Sequence, residues 1–187
     1  SNLSAICGKV MVGSRIDYSH RRTIKKGILK IHEIDSKYKD YTKAEFEINL
    51  FSYVGTIMNA NKIKKVGNVN KDLFIYYDDT DHSIRMNSVG KIICVPSIII
   101  NHDVVDKLNN GKYIWKNYYL FRNKLYFLKN NYGKRYSNFE KLFIYLRILK
   151  KHNYKCTKLI LNSIHDFNCN KLGIHDVYKP GWGVEYK

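Results

Sequence analysis

The sequence is short of acidic residues and of proline. Its 187 residues include 33 lysines and arginines but only 16 aspartates and glutamates, which gives a formal charge of +17. Pro96 and Pro180 are the only prolines, while 44% of the residues are apolar and 14% aromatic. This composition excludes a disordered chain and predicts a globular protein that can bury a proper core. The excess of one charge favours a polyanionic partner.

The few cysteines stand far apart, and none forms a C-x-x-C pair. They are Cys7, Cys94, Cys156 and Cys169. This spacing, in a chain of this length, excludes a disulfide framework and predicts reduced thiols. We therefore expect an intracellular protein, located in the cytoplasm or in the nucleus or nucleoid.

Long apolar runs and nucleotide-binding motifs are also missing. The longest apolar run, Ile92–Ile100, is interrupted by Pro96 and Ser97 and predicts a buried strand. A membrane span needs roughly 20 apolar residues, so we expect no membrane association. No basic segment followed by an apolar block opens the chain, so we expect no secretory signal. The absence of a P-loop, of G-x-G-x-x-G after a strand and of G-x-S-x-G excludes ATP-binding, dinucleotide-binding and serine-hydrolase functions.

The most prominent feature that is present is a basic region, Lys107–Lys158. It contains fourteen lysines and arginines and a single acid, Glu140. Nucleic acid is the commonest partner for such a surface, because releasing its counterions supplies much of the affinity. Charge alone leaves one alternative open, a basic interaction protein such as a viral one that binds an acidic protein partner.

The hydrophobic pattern predicts an α+β fold in which small antiparallel sheets each pack against an amphipathic helix. One helix is expected near residues 42–58, where Thr42 and Glu45 form a capping box before apolar residues at helical spacing. The other is expected near 138–152, where Asn138 precedes the clearest apolar stripe of the sequence. The members of this stripe are Phe139, Leu142, Phe143, Leu146 and Leu149.

The region before the second helix predicts three short strands. Tyr113–Arg122 and Leu125–Lys129 are aromatic and β-prone, with Asn123-Lys124 as a hairpin turn, and Lys134–Tyr136 forms the third strand. We therefore divide the chain into an α+β lobe, residues 1–106, and a basic β-β-β-α lobe with an irregular tail, residues 107–187. A single domain is the alternative.

Residues 124–153 read KLYFLKNNYGKRYSNFEKLFIYLRILKKHN. This stretch resembles the DNA-binding domain of the AP2 and phage-integrase arm-binding type, in which a hairpin ending in N-G-K-R-like residues leads to a short strand and a helix. The resemblance covers about residues 110–155. It implies a three-strand-plus-helix fold whose sheet lies in the major groove of double-stranded DNA.

On this interpretation the protein binds nucleic acid, most simply duplex DNA, and a homodimer is an open alternative. Its lysines and arginines would contact phosphates or bases. The expected nucleic-acid-binding residues are Lys116, Arg122, Lys124, Lys129, Lys134, Arg135, Arg147, Lys150 and Lys151.

A cluster of carboxylates supports a second hypothesis, a metal-dependent endonuclease. Asp78, Asp79 and Asp81 follow a predicted strand at 73–77, and Glu33 lies near the end of another strand. Carboxylates that converge on Mg²⁺ can activate water for phosphodiester cleavage. Mg²⁺ would be the cofactor in that case, and none is expected otherwise. An exposed turn explains the same aspartates without catalysis.

Overall fold

The structure is a computed structural model that describes residues 2–103, 112–150 and 153–185. The described residues form two compact units. The first consists of residues 2–27, 31–69 and 79–103, and the second of residues 28–30, 70–78, 112–150 and 153–185. Both units combine helices with small sheets, which confirms the α+β class.

The first unit is built on a mixed sheet with a parallel centre. Its elements are β1 (Leu3–Val12), β2 (Arg15–Ile16), β3 (Arg21–Lys26), β4 (Ile31–Asp35), β5 (Phe46–Ile48), β6 (Leu50–Phe51), β7 (Thr56–Met58), α1 (Ala60–Val66), α2 (Asp78–Asn87, whose first residue belongs to the second unit) and β8 (Lys91–Asn101). β1 and β8 run parallel, whereas β2, β7 and β5 pair antiparallel with one of them. A three-stranded antiparallel sheet, β4-β3-β6, completes the unit. The expectation of purely antiparallel sheets is therefore wrong at β1 and β8.

The interior of the first unit contains a fully buried arginine. The Arg21 side chain donates from Nε to the Gly8 carbonyl (2.9 Å) and from Nη2 to the Val54 carbonyl (2.7 Å). Nη1 donates to the carbonyl of His20 (2.8 Å). Backbone carbonyls thus accept the hydrogen bonds that the guanidinium would make to water if it were exposed.

The predicted helix at 42–58 is wrong, because these residues form β5, β6 and β7. Phe46, Ile48 and Leu50 are buried at every second position, which is the period of a strand. Thr42 does not cap a helix, since its hydroxyl donates to the Lys39 carbonyl. Gly55 has a φ of +62°, outside the helical region. Pairing of β5 with β8 satisfies the backbone instead.

The second unit is mainly helical. Its elements are β9 (Lys112–Ile114), α3 (Trp115–Tyr132), α4 (Lys134–Lys150), α5 (Tyr154–Asn168) and β10 (Gly183–Glu185). β9 and β10 pair antiparallel, and α3 packs against both α4 and α5. Tyr118 and Leu125 of α3, Ile144 of α4 and Leu159 of α5 belong to one buried cluster. Three helices around an aromatic-rich core therefore position the surface of this unit.

The predicted hairpin at 113–129 and the strand at 134–136 are wrong. Only Lys112–Ile114 is extended, and the following residues are helical up to Tyr132. Tyr118, Arg122 and Leu125 are buried at i, i+4 and i+7, so the burial follows the period of a helix. The three-strand-plus-helix arrangement that the resemblance implies is thus not the structure of residues 112–150.

The helix predicted near 138–152 is present, but it begins earlier and buries a different side from the one predicted. α4 starts at Lys134 and is described to Lys150; residues 151 and 152 lie outside the described part. The predicted core stripe is largely exposed, with Leu149 at 81%. Tyr136, Glu140 and Ile144 are buried in its place. α4 therefore has two apolar faces. One is buried in the second unit, and the other is exposed.

In the described part of the chain, no helix combines the length and the apolarity that crossing a bilayer requires.

Candidate nucleic-acid interface

The three helices of the second unit carry almost only positive charge. They contain eleven lysines and arginines, namely Lys116, Arg122, Lys124, Lys129, Lys134, Arg135, Lys141, Arg147, Lys150, Lys155 and Lys158. Their only two acids, Glu140 and Asp166, are both buried. The described charged side chains that α3, α4 and α5 expose are therefore all cationic.

Each buried acid has a specific partner. Glu140 Oε1 on α4 lies 2.8 Å from Lys124 Nζ on α3. Asp166 Oδ2 accepts a hydrogen bond from the Tyr118 hydroxyl, and His175 Nε2 lies 3.8 Å away from the same oxygen. Burial is the main cause that raises the pKa of Tyr118, and this hydrogen bond to Asp166 raises it further. The carboxylates thus connect elements of the core. Glu140 balances the charge of Lys124, and no acid of α3, α4 or α5 is exposed.

Arg122 was expected to contact nucleic acid, but it is 1% exposed. Its Nη1 donates to the Gly173 carbonyl (2.8 Å) and its Nε to Asn123 Oδ1 (2.9 Å). The guanidinium also lies over the rings of Tyr118 and Tyr119, at 5.2 and 5.1 Å. Arg122 is therefore a buried structural residue, and its position gives no support to the binding role that was expected of it.

Lys124 and Lys129 are partly occupied by contacts within the unit. Lys124 forms the ion pair with Glu140, and Lys129 Nζ donates to Asn170 Oδ1 (3.0 Å). The ammonium groups of Lys129 and Lys141 both lie 5.5 Å from the Phe167 ring. Lys129 and Lys141 therefore lie together at the C-terminal end of α5, where the helix dipole favours positive charge.

Three of the remaining expected cations are exposed. Lys134 and Arg135 lie side by side and exposed in the first turn of α4, and Arg147 is exposed near its other end. Lys116 is half-buried, and its Nζ lies 5.6 Å from the Trp115 ring. Of Lys150 only the helical backbone is described, and Lys151 lies outside the described residues.

A groove with aromatic and cationic walls lies beside the first half of α5. Its volume is about 550 Å³, and it is lined by Tyr154, Lys155, Lys158, Asn162, Tyr178 and Trp182, among others. Trp182 is joined to the start of α3, because the Trp115 amide donates to the Trp182 carbonyl (3.1 Å). Lys116 therefore follows directly on a residue that is bonded to the wall of the groove. The sequence reasoning missed this groove, although an alternation of aromatic residues and lysines could have indicated it.

A strained segment lies near the same helix α3. Phe74 has φ +63° and ψ −59°, and the Ile75 amide donates to the Leu73 carbonyl, which defines a γ-turn. Asn123 Nδ2 donates to the carbonyls of Leu73, Ile75 and Tyr76 at 2.7 to 3.0 Å. The expected strand at 73–77 is therefore wrong. One buried amide on α3 holds this turn, and the Phe74 ring lies 6.0 Å from that of Trp115.

The carboxylates of the endonuclease hypothesis occupy other settings than expected. Asp78 begins α2 and does not end a strand, and Asp79 accepts from the backbone amide of Thr80 (2.6 Å) in the same helix. Asp81 Oδ2 lies 3.1 Å from Arg85 Nε, while Glu33 is paired with Arg22. Arginine partners hold the last two carboxylates, so these are not directed at a shared cation.

Across residues 2–103, 112–150 and 153–185, no three His, Cys, Asp or Glu side chains are grouped in a way that could hold a metal ion. The Mg²⁺ site of the endonuclease hypothesis therefore has no support from the placement of these residues.

The sequence matches no protein-family model and no curated protein.

Proposed function

We propose that the protein binds nucleic acid through the helices of its second unit. The observation that supports this is the single sign of the exposed charge on α3, α4 and α5. Their acids are buried, and their exposed described charges are cationic. Such a surface repels itself and is stabilised when phosphates neutralise it. Lys134 and Arg135 are two of the expected binding residues, and they are adjacent and both exposed.

Duplex DNA was expected because of a hairpin that would enter the major groove. Since the residues of that hairpin form α3, the proposal extends to nucleic acid in general, and phosphate contacts by the helices supply the affinity. A titration with both duplex and single-stranded nucleic acid distinguishes which form the protein prefers.

The test is a fluorescence-anisotropy titration with labelled duplex DNA, single-stranded DNA and RNA at two salt concentrations. We expect binding that weakens as salt increases. Lys134→Gln combined with Arg135→Gln should lower the slope of log K against log salt by about 0.9 for each duplex phosphate that the variant no longer neutralises.

The matched control is Lys64→Gln combined with Lys65→Gln. These two lysines are also adjacent, exposed and helical, but they belong to α1 of the first unit. Both double variants remove the same charge. An equal loss of affinity in the two would contradict a specific surface, and a wild-type protein that binds none of the three nucleic acids would overturn the proposal.

A second candidate function, binding of an acidic protein partner, is supported by the exposed face of α4. Leu142, Tyr145, Leu146 and Leu149 are all exposed on this helix. Apolar surface of this kind, bordered by polar residues, is typical of interaction sites. Because the charged side chains that α4 exposes are cationic, a second copy would bring like charges together. An acidic amphipathic helix fits better.

A synthetic helical peptide with leucine at heptad positions a and d and glutamate elsewhere tests this candidate. We expect it to bind the wild-type protein and to bind Leu146→Gln combined with Leu149→Gln at least several-fold more weakly. No binding to the wild type would contradict the candidate. Concentration-dependent self-association that the double variant abolishes would assign the face to a second copy and also contradict it.

A further inference from the structure

The groove beside α5 has a rigid aromatic floor. The Tyr178 ring is buried and stacks on Tyr118 with centroids 4.9 Å apart and an interplanar angle of 23°. Its hydroxyl accepts a hydrogen bond from Asn162 Nδ2 (3.0 Å), and burial raises the pKa of this hydroxyl. The Trp182 ring meets Tyr178 edge-on at 5.0 Å. These contacts hold the two rings in place before any ligand arrives.

Part of the lining of the groove is a row of side chains along the first half of α5. Tyr154, Lys158 and Asn162 stand at i, i+4 and i+8, so they share one side of the helix. Tyr154 is 76% exposed, which leaves nearly its whole ring open to contact. A tyrosine with so little burial contributes little to the core, and its ring is accessible to a ligand in the groove.

Cations border the same groove. Lys155 and Lys158 are exposed one turn apart, at the N-terminal end of α5. The Asn153 side chain caps this end by accepting from the Lys155 amide (2.9 Å). The positive end of the helix dipole therefore adds to the charge of the two ammonium groups.

The combination of walls restricts the ligand. A simple anion would need the lysines but not the rings of Tyr154 and Trp182, and an apolar ligand would need the rings but not the lysines. An unpaired base attached to a phosphate uses both, by stacking on aromatic rings while its phosphate meets the cations. In a duplex the faces of the bases are covered by their neighbours, so a duplex cannot use the rings in this way.

We propose that the groove formed by Tyr154, Lys155, Lys158 and Trp182 binds the unpaired bases and phosphates of single-stranded nucleic acid. This inference rests on the proposed function and names the form of nucleic acid that the second unit prefers.

The test compares Tyr154→Leu with the wild type by anisotropy on an oligothymidylate and on a duplex of equal length. We expect about five- to tenfold weaker binding of the single strand, with little change for the duplex. Lys155→Gln combined with Lys158→Gln should weaken single-strand binding and lower its salt slope by roughly 0.7 for each phosphate that the variant no longer neutralises. Tyr38→Leu is the matched control, since this tyrosine of the first unit is 68% exposed and should have no effect.

The outcomes separate the two proposals. If the wild type binds nucleic acid but Tyr154→Leu binds the oligothymidylate equally well, the groove inference is overturned and the proposed function stands. If the wild type binds no nucleic acid, both are overturned. Binding of free thymidine monophosphate with no binding of the strand would assign the groove to a free nucleotide and also overturn the inference. A far-ultraviolet circular dichroism spectrum like that of the wild type shows that Tyr154→Leu is folded.

Discussion

Lys124 Nζ on α3 lies 2.8 Å from Glu140 Oε1 on α4, and Glu140 is only 6% exposed. This ion pair joins two helices and removes the sole acid of α4 from the surface. The ion pair therefore contributes to the stability of the second unit. It also leaves only cations among the exposed charges described on α4, which is the basis of the proposed function.

Glu140→Gln should lower the free energy of unfolding by about 1–2 kcal/mol, because a charge-assisted hydrogen bond at a buried carboxylate is replaced by a weaker one. Urea unfolding followed by tryptophan fluorescence measures this, since Trp115 and Trp182 both belong to the second unit. The exposed pair of Lys91 and Glu47 in the first unit is the control, where Glu47→Gln should cost less than about 1 kcal/mol when urea unfolding is followed by far-ultraviolet circular dichroism. Equal costs at the two sites would contradict a structural role for Glu140.

Asn123→Asp should destabilise the second unit by about 2–3 kcal/mol. The carboxylate keeps the acceptor for Arg122 Nε but cannot donate to the carbonyls of Leu73, Ile75 and Tyr76, which are then left without this donor. Urea unfolding measures the loss of stability. Asn131→Asp on the same helix is the control, and its cost should be smaller, because Asn131 Nδ2 donates to a carbonyl one turn back in α3. A small effect at Asn123 would show that the strained turn does not depend on it.

Arg122→Lys should lower stability by about 2 kcal/mol and leave nucleic-acid affinity per folded molecule unchanged. Lysine cannot reproduce the fork that bonds Gly173 and Asn123, nor the planar contact with the two tyrosine rings. Thermal unfolding and the anisotropy titration measure the two properties separately. Arg135→Lys, at an exposed site, should change stability by less than about 0.5 kcal/mol. Weaker binding by stable, folded Arg122→Lys would return Arg122 to the interface.

The stability of the protein should fall in mild acid, in part through His175. Its Nδ1 accepts from the amides of Val177 (3.0 Å) and Tyr178 (3.3 Å), which requires the neutral ring, and burial lowers the pKa of His175 although Asp166 opposes this. An unfolded histidine titrates near about 6.5. As the pH falls below that value the unfolded chain takes up the proton first, so the free energy of unfolding decreases. Above it the ring is neutral in both states and the effect is absent.

His175→Asn keeps a side-chain acceptor two residues before Val177 and removes the titration. Unfolding curves at pH values on both sides of about 6.5 should show a smaller loss of stability in acid for this variant than for the wild type. Some loss should remain, because burial also lowers the pKa of His20 and His82. An unchanged loss would contradict the assignment to His175.

Part of this description follows from the sequence alone. Composition predicted a folded protein, and the positions of the charges along the chain predicted a strongly basic second half. The α+β class followed from the hydrophobic pattern. The helix near 138–152 was also predictable, since its apolar residues recur at a helical period.

The tertiary structure decided which of those residues are accessible. Local pattern could not distinguish Arg122, buried under two tyrosine rings, from Lys134 in solvent, because burial depends on which elements pack together. The local pattern around Phe46, Ile48 and Leu50 fits a strand as well as a helix. Pairing of β5 with the distant β8, and of β6 with β3, outweighs the local capping signal. The groove joins Tyr154 to Trp182 across 28 positions of the chain, and only the packing of α5 against the 177–183 segment brings them to one surface.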